Sequence, residues 1–329
     1  MYMLNLPKKV YFKKGAMNVA LKELDEVYGF KRAFIVSDAN LYRLGIVNPV
    51  DAWVRGRGIR TAEFFTFDSV PSFENVRSGL PKMLEYNPDV IIAVGGGSVM
   101  SAAKAMWLLY ENPDLDLNEV ADKFSSLDGE YDANYADFPD TGKKAKLVLI
   151  ATTAGSGAEC SPFSVLADDN GKLRVIASYK LLPEIAVIDS MFSENMPTEL
   201  VKKSGLTALS QAVRAYVAPG GGEYTQGFAR EAAESILNNL EAAVSGCVAA
   251  REKMSYAASV AGLAFSNAAN TVDTEAGFYP ENKEKSASDI GADAYALIVD
   301  LAKHAGIQGD SDDKIFADWI AACEKLHSL

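Results

Sequence analysis

Three consecutive glycines between an apolar run and a helical pattern are the residues of this chain most suggestive of chemistry. The run Val90–Val94 leads into Gly95, Gly96, Gly97 and Ser98. Such a turn presents backbone N–H groups and the positive end of a helix dipole to an anion. Glycine there permits both the close approach of a pyrophosphate and a positive φ. The pattern indicates a nucleotide or phosphate site, or alternatively a strand–helix turn that holds no ligand.

Other polar residues follow other predicted strands. Asp38 comes just after the apolar run 33–36, and Thr152 and Thr153 stand at the end of the apolar run that begins at Lys146. The carboxyl ends of parallel strands meet at one edge of a sheet, which is where α/β proteins bind their ligands. We therefore expect Asp38, the glycine turn and the threonines to converge.

The elements that must position these residues alternate between strands and helices. Apolar runs predict strands at 10–12, 33–36, 61–67, 89–94 and 146–152, and helical periodicity predicts helices at 17–27 and 73–86. Strands separated by helices predict βαβ units and a parallel sheet. After Asp189 only helical periodicity is found, over 200–216, 224–243, 249–268 and 292–305. We therefore expect an α/β domain over 1–188 and an all-α domain over 189–329, with 112–145 as a long surface excursion.

Composition and charge exclude several classes of protein. The chain has 329 residues, 32 Lys and Arg against 44 Asp and Glu, and a net charge of -12, which argues against sequence-independent nucleic-acid binding. No apolar run is long enough to span a bilayer, and Met1 does not open a secretory signal pattern. The three cysteines, Cys160, Cys247 and Cys323, do not suggest a disulfide framework. We expect a cytoplasmic protein.

The segment Gly95–Lys104, taken with Thr152–Glu159, resembles the iron-containing (group III) alcohol dehydrogenase family. The resemblance runs from about residue 8 to about residue 268 and is greatest to the alcohol-dehydrogenase domain of bifunctional aldehyde-alcohol dehydrogenases. It implies a Rossmann-like dinucleotide-binding α/β domain followed by a helical domain, the dehydroquinate synthase-like architecture, with the active site between them. It also implies a homodimer.

The cofactor positions of that family are largely kept in this chain. Asp38 matches the acidic residue that receives the adenosine ribose, and a carboxylate there favours NAD over NADP because it would repel a 2′-phosphate. Gly95, Gly96, Gly97 and Ser98 match the pyrophosphate turn. Thr152, Thr153 and Ser156 match the threonine-rich loop on the adenine and ribose side. The alternatives are a strand-end aspartate that makes a turn and a loop that bonds its own backbone.

The metal positions of the family are not kept. Thr207, Gln211 and Thr274 occupy three ligand positions, Phe278 replaces the proton-relay histidine, and Ser101 replaces an aspartate near the nicotinamide end. Thr207 and Gln211 share one helix face, but neither offers the carboxylate or imidazole that a transition metal needs. We therefore expect neither iron nor zinc to bind.

Arg214 stands where relatives commonly have glutamate, on the helix face of Thr207 and Gln211. Its guanidinium either binds a small anion or carbonyl oxygen, or forms an ion pair with Asp273 or Glu275.

Three functions remain open. The first is a diverged, NAD(P)-binding family member that has lost metal-dependent hydride transfer, acting as partner of an active relative. The second is a metal-free NAD(P)-dependent oxidoreductase acting on an activated carbonyl compound. The third is a non-catalytic scaffold in which the glycines serve only the turn.

Overall fold

A six-stranded parallel sheet forms the centre of the N-terminal part. The computed structural model describes residues 3–65, 70–127, 136–268 and 292–328. The strands are β1 (Lys9–Phe12), β2 (Arg32–Val36), β3 (Arg60–Phe64), β4 (Val90–Gly95), β5 (Lys146–Ala151), β6 (Phe163–Ala167), β7 (Leu173–Ala177) and β8 (Ile185–Ile188). The parallel sheet has the order β1-β8-β5-β4-β2-β3, while β6 and β7 form a separate antiparallel hairpin.

Helices cover both faces of this sheet because its strands are apolar on both sides. They are α1 (Ala16–Glu26), α2 (Ala39–Arg43), α3 (Asn48–Gly56), α4 (Phe73–Tyr86), α5 (Gly97–Glu111) and α6 (Leu117–Lys123). In β2, Ala33 and Ile35 lie in the core formed with α1 and α3, whereas Phe34 and Val36 lie in the core formed with α4 and α5. This alternation is the period of two expected of a strand buried on both faces.

The chain leaves β2 and β4 in opposite directions. These two strands are neighbours, but β2 continues to the edge strand β3, whereas β4 continues to β5 on its other side. The helix α3 that follows β2 and the helix α5 that follows β4 also pack on opposite faces. A crevice therefore opens between the carboxyl ends of β2 and β4, the position at which doubly wound sheets bind ligands.

The C-terminal part is helical and packs through small residues. Its helices are α7 (Thr198–Val217), α8 (Glu223–Val244), α9 (Val248–Ala268), α10 (Ala292–His304) and α11 (Asp312–Ser328). Alanines fill the contact faces of α7, α8 and α9, including the fully buried Ala208, Ala229 and Ala257. A Cβ at Gly205 of α7 would lie 2.4 Å from a methyl group of Leu240, so these helices approach closely. No described helix combines the length and apolar character needed to cross a membrane.

The predicted fold class is confirmed: an α/β, Rossmann-like part precedes a helical part. The domain boundary near Asp189 stays a prediction. Within the described residues after Asp189, every named element is helical, as expected.

Several predicted elements were wrong or missing. The strand expected at 61–67 ends at Phe64, because Phe65 leaves the sheet and stacks on Tyr42 with ring centroids 4.1 Å apart. No sequence pattern had predicted β6, β7, β8, α2, α3 or α11. The segment 112–145 is not simply a surface excursion, since α6 within it buries Leu117 and Val120 in the apolar core on one face of the sheet.

Candidate functional site

The glycine turn joins β4 to α5 as predicted, but for a different stereochemical reason. Gly96 precedes the first turn of α5 in an extended conformation, with φ -86° and ψ -169°, and none of the three glycines has a positive φ. The expected positive φ is therefore wrong. What requires glycine is close approach: a Cβ at Gly95 would lie 2.4 Å from Val99 Cβ, and one at Gly97 would lie 2.8 Å from Ser156 Oγ.

The loop after β5 lies directly against this turn. A Cβ at Gly96 would lie 3.0 Å from Thr153 Oγ1. The Thr152 N–H donates a hydrogen bond to the Gly95 carbonyl at 3.0 Å, which continues the pairing of β4 and β5 past their ends. Thr152 is buried, and its Oγ1 has no hydrogen-bond partner among the described residues. The contact stays open to solvent, because its polar and glycine residues are all partly exposed: Gly96, Gly97, Ser98, Thr153 and Ser156.

Asp38 sits at the end of β2, on the other side of the crevice. One oxygen of its carboxylate, Oδ1, accepts hydrogen bonds from the N–H groups of Asn40 and Leu41, both at 2.8 Å, and so caps α2. The neighbouring Ser37 hydroxyl donates to the Val94 carbonyl at 2.7 Å, which holds the end of β2 against β4. Asp38 therefore makes the turn that was one of the two alternatives. Its other oxygen, Oδ2, has no hydrogen-bond donor among the described residues.

Two of the family's metal-ligand positions lie beside the same loop. The Thr207 hydroxyl donates to the Lys203 carbonyl of its own helix at 2.9 Å. Gln211 Nε2 donates to the Ser156 carbonyl at 3.1 Å, and Gln211 Oε1 is buried with no partner among the described residues. Although Gln211 Oε1 is unpaired, a hydroxyl with an amide oxygen is a poor donor set for iron or zinc. The third position, Thr274, lies outside the described residues.

The described part of the chain also lacks an alternative metal site, since nowhere in it do three His, Cys, Asp or Glu side chains converge. Phe278, the position of the relay histidine, lies outside the described residues. The residues that the structure does describe therefore do not fit the metal.

Arg214 lies on α7 within the same region. Its guanidinium stacks over the Phe265 ring with 5.3 Å to the centroid, and Phe265 makes an edge contact with Phe163. Within the described residues it pairs with no carboxylate. The alternative partners, Asp273 and Glu275, lie outside the described residues.

Besides the Gln211 hydrogen bond, the loop meets the helical part at two very close contacts that involve glycine. A Cβ at Gly155 would lie 2.6 Å from Ser204 Cβ on α7. Gly157 has φ +57°, and a Cβ there would lie 2.6 Å from Gly262 Cα on α9. The sequence analysis missed these two contacts. The available signal was Gly262, a glycine within an otherwise alanine-rich helix.

A buried lysine anchors the other end of this loop. Lys104 of α5 is fully buried, and its Nζ donates to the carbonyls of Ala158, Ser161 and Phe163 at 2.8, 2.5 and 3.1 Å. Burial lowers the pKa of Lys104 to about 7, against the opposing effect of the Glu159 carboxylate. The sequence analysis gave Lys104 no role, although a lysine inside an apolar helix is itself a signal.

Glu159 and Cys160 complete this buried cluster. Burial raises the pKa of the Glu159 carboxyl to about 7. Burial also raises the pKa of the Cys160 thiol well above its ordinary value, and Cys160 Sγ lies 3.3 Å from Ser259 Oγ. A thiol held in its neutral form is a poor nucleophile, so the cluster is structural rather than reactive.

Ser101, which replaces an aspartate of the family pattern, has become a structural residue. Its Oγ accepts a hydrogen bond from the Val165 N–H at 3.1 Å, and its carbonyl accepts one from Ser164 Oγ at 2.7 Å. These bonds join α5 to β6, so the side chain is directed away from the crevice.

The chain is similar to known proteins along most of its length. Residues 7–190 match the family model "Iron-containing alcohol dehydrogenase", and residues 201–275 match "Fe-containing alcohol dehydrogenase family, C-terminal". Aldehyde-alcohol dehydrogenase 2 of Entamoeba histolytica is 40% identical over 268 residues, which cover 80% of this chain and 30% of that protein. NADPH-dependent butanol dehydrogenase of Clostridium saccharobutylicum is 34% identical over 264 residues, 80% of this chain and 64% of that protein. The chain therefore spans only part of the length of these relatives.

Solved structures show the same architecture. A crystal structure of 1,3-propanediol oxidoreductase superposes with a TM-score of 0.81 at 26% identity, covering 100% of this chain and 86% of that one. The resemblance inferred from the glycine and threonine segments is confirmed by these matches.

Proposed function

Because the chain belongs to the iron-containing alcohol dehydrogenase family, we propose that it binds a nicotinamide adenine dinucleotide in the crevice between β2 and β4. The observation that carries this proposal is the contact of Gly96 and Gly97 with Thr153 and Ser156. A Cβ on either glycine would push this loop away from the N-terminus of α5, where the pyrophosphate would bind. The unpaired Thr152 Oγ1 supplies a further polar group at the same place.

Asp38 supports NAD rather than NADP as the cofactor. Its Oδ1 is used by the turn, but Oδ2 is available to accept hydrogen bonds from ribose hydroxyls. A 2′-phosphate would place like charge against this carboxylate. A relative in the same family is named for NADPH, so the preference has to be measured for this chain.

The second part of the proposal is that metal-dependent hydride transfer has been lost. Thr207 and Gln211 offer only a hydroxyl and an amide oxygen in place of the carboxylate and imidazole that iron or zinc needs. Without a Lewis acid to polarise the alcohol or aldehyde oxygen, the transition state of hydride transfer loses several kcal/mol of stabilisation. The protein would then act as a nucleotide-binding partner, as a homodimer or together with an active relative.

A metal-free reductase is the alternative, and the unpaired Arg214 guanidinium favours it. Arg214 would hold a carbonyl or carboxylate oxygen, hydride would pass from NAD(P)H to the carbonyl carbon, and solvent would supply the proton. Replacing Arg214 by Ala should abolish both small-carboxylate binding and any such reduction. Unchanged carboxylate binding would exclude Arg214 as the anion site.

The experiment is a fluorescence titration with NADH of the wild type, Gly97→Ala and Gly227→Ala. Gly97→Ala places a Cβ against Ser156 in the proposed site, whereas Gly227→Ala adds the same atom to an exposed helix position with open space around it. We expect Gly97→Ala to weaken NADH binding about tenfold or more, and Gly227→Ala to leave it unchanged. If the wild type does not bind NADH, the non-catalytic scaffold becomes the favoured function.

Turnover of an aldehyde panel, with and without added Fe²⁺ or Zn²⁺, then separates the remaining functions. We expect no turnover under either condition. Metal-stimulated turnover would contradict the loss of the metal site, and turnover independent of metal would favour the reductase.

A further inference from the structure

A cavity of about 460 Å³ opens at the amino ends of β2 and β3, on the edge of the sheet opposite the proposed cofactor crevice. Its polar lining consists of Arg32, Arg60, Lys82, Glu85, Tyr86 and Asn87. The volume lies in the range of small-molecule sites. Neither the cofactor proposal nor the family's metal positions account for these residues.

Two arginines stand side by side in this cavity. Arg32 on β2 and Arg60 on β3 are direct register partners, so their side chains leave the same face of adjacent parallel strands. Like charges in that arrangement repel each other. Within the described residues, neither guanidinium forms an ion pair with a carboxylate that would offset the repulsion. Arg32 Nε instead donates to the Asn87 carbonyl at 2.5 Å, which fixes the direction of its side chain.

The other charged groups leave the cavity with a net positive lining. Lys82 from α4 adds a third cation, anchored by donation to the Glu63 carbonyl at 2.6 Å, and Glu85 is the one acidic residue of the lining. The Asp89 carboxylate is engaged by the backbone N–H groups of Lys31 and Arg32 and does not line the cavity. Such a lining stands out in a chain with a net charge of -12.

A buried hydroxyl group also lacks a partner here. Tyr86 Oη is buried with no hydrogen-bond partner among the described residues, while its ring packs on Phe34 with 6.2 Å between centroids. An unsatisfied buried hydroxyl costs free energy unless a ligand or water completes it. Burial raises the pKa of the Tyr86 hydroxyl, and the nearby charges of Arg60 and Arg32 act against this rise.

We propose that this cavity binds a small molecule carrying a phosphate monoester. Guanidinium groups match phosphate oxygens with two parallel N–H donors, and the paired Arg32 and Arg60 provide this match twice. The net charge of the lining balances a phosphate dianion, and the Tyr86 hydroxyl donates to one of its oxygens. The site is independent of the dinucleotide crevice.

The test is calorimetric titration at constant ionic strength with two probes, inorganic phosphate and glycerol 3-phosphate. The variant Arg32→Gln with Arg60→Gln removes both guanidinium groups. The control Arg77→Gln with Lys143→Gln removes the same charge from exposed residues that pair with Asp169 and Asp140. Tyr86→Phe removes only the unpaired hydroxyl group.

We expect glycerol 3-phosphate to bind the wild type and the charge control equally. The double arginine variant should bind it about tenfold or more weakly, and Tyr86→Phe should bind it several-fold more weakly. NADH titration should be unchanged in all of these variants. Equal binding by the wild type and the double arginine variant, or an equal loss in the charge control, would overturn the proposal.

Tighter binding of glycerol 3-phosphate than of inorganic phosphate supports an organic ligand in the cavity. If the wild type binds neither probe, the assignment is wrong. Because NADH binding is measured on the same variants, failure here is distinguishable from failure of the cofactor proposal.

Discussion

Gln211 Nε2 donates a hydrogen bond to the carbonyl oxygen of Ser156 at 3.1 Å, joining helix α7 to the loop that follows β5. The residue at a metal-ligand position of the family thus connects the helical part of the chain directly to the proposed cofactor loop. In this chain, a hydrogen bond from an amide group makes that connection.

Replacing Gln211 by Ala should loosen this loop. We expect a loss of about 1 kcal/mol in the free energy of unfolding, the usual value of one hydrogen bond, and weaker NADH binding. Thr207→Ala is the matched control, because the Thr207 hydroxyl bonds only its own helix. Urea unfolding and NADH titration measure both quantities. Identical NADH affinities for the two variants would argue against a positioning role for Gln211.

Replacing Asp38 by Asn should change cofactor preference. Asparagine still caps α2 through its side-chain oxygen but no longer carries the charge that repels a 2′-phosphate. We expect the ratio of the NADPH to the NADH dissociation constant to fall about tenfold. Asp116→Asn is the control, since Asp116 caps α6 by accepting from the N–H groups of Asn118 and Glu119. A ratio that stays the same in Asp38→Asn would remove Asp38 from the cofactor site.

Gly157→Ala should destabilise the protein by more than the backbone strain of a positive φ alone, because the new Cβ also clashes with α9. The residue combines φ +57° with a Cβ position 2.6 Å from Gly262 Cα. Gly171 has a comparable φ of +80° but open space around its Cβ position, so Gly171→Ala measures the strain by itself. We expect a cost of about 1 kcal/mol for Gly171→Ala and at least about 3 kcal/mol for Gly157→Ala. Equal costs in chemical denaturation would mean that the loop and α9 separate easily.

The stability of the protein should depend on the protonation of Glu159. The folded pKa of about 7 lies above the ordinary 4.5, so between these values the folded protein holds a proton that the unfolded chain releases. The contribution of Glu159 to the free energy of unfolding therefore falls as pH rises through this window. Glu159→Gln removes this dependence.

We expect the wild type to lose on the order of 2 kcal/mol relative to Glu159→Gln between about pH 5 and about pH 8. Urea unfolding at both pH values measures the difference. The control is Glu234→Gln at an exposed position of α8. A wild type and Glu159→Gln variant that change in parallel would show that Glu159 is charged in the folded protein.

Much of the fold follows from local patterns in the sequence. The central strands are apolar on both faces and the helices carry clear periodicity, so β2, β4, β5 and α4 were predicted to within about a residue. The hairpin β6–β7 was missed although it carries a local signal, two apolar runs joined by a turn with Gly171 at positive φ. Only its packing against α5 is a long-range contact.

The site was predictable in part for the same reason. Strand ends and glycines indicated the positions of Asp38, Gly96 and Thr153. The approach of Gly157 to Gly262 and the three carbonyls around Lys104 join residues far apart in the chain. The sequence alone could not reveal these contacts.

The contact between Gly157 and Gly262 has a mechanical consequence. Two parts of a protein slide past each other when the side chains between them can exchange rotamers. Here backbone meets backbone, so there is no layer of side chains that can rearrange. Sliding of the loop along α9 is therefore opposed at this point, and we expect a movement of α9 relative to the loop to be a rotation about this contact.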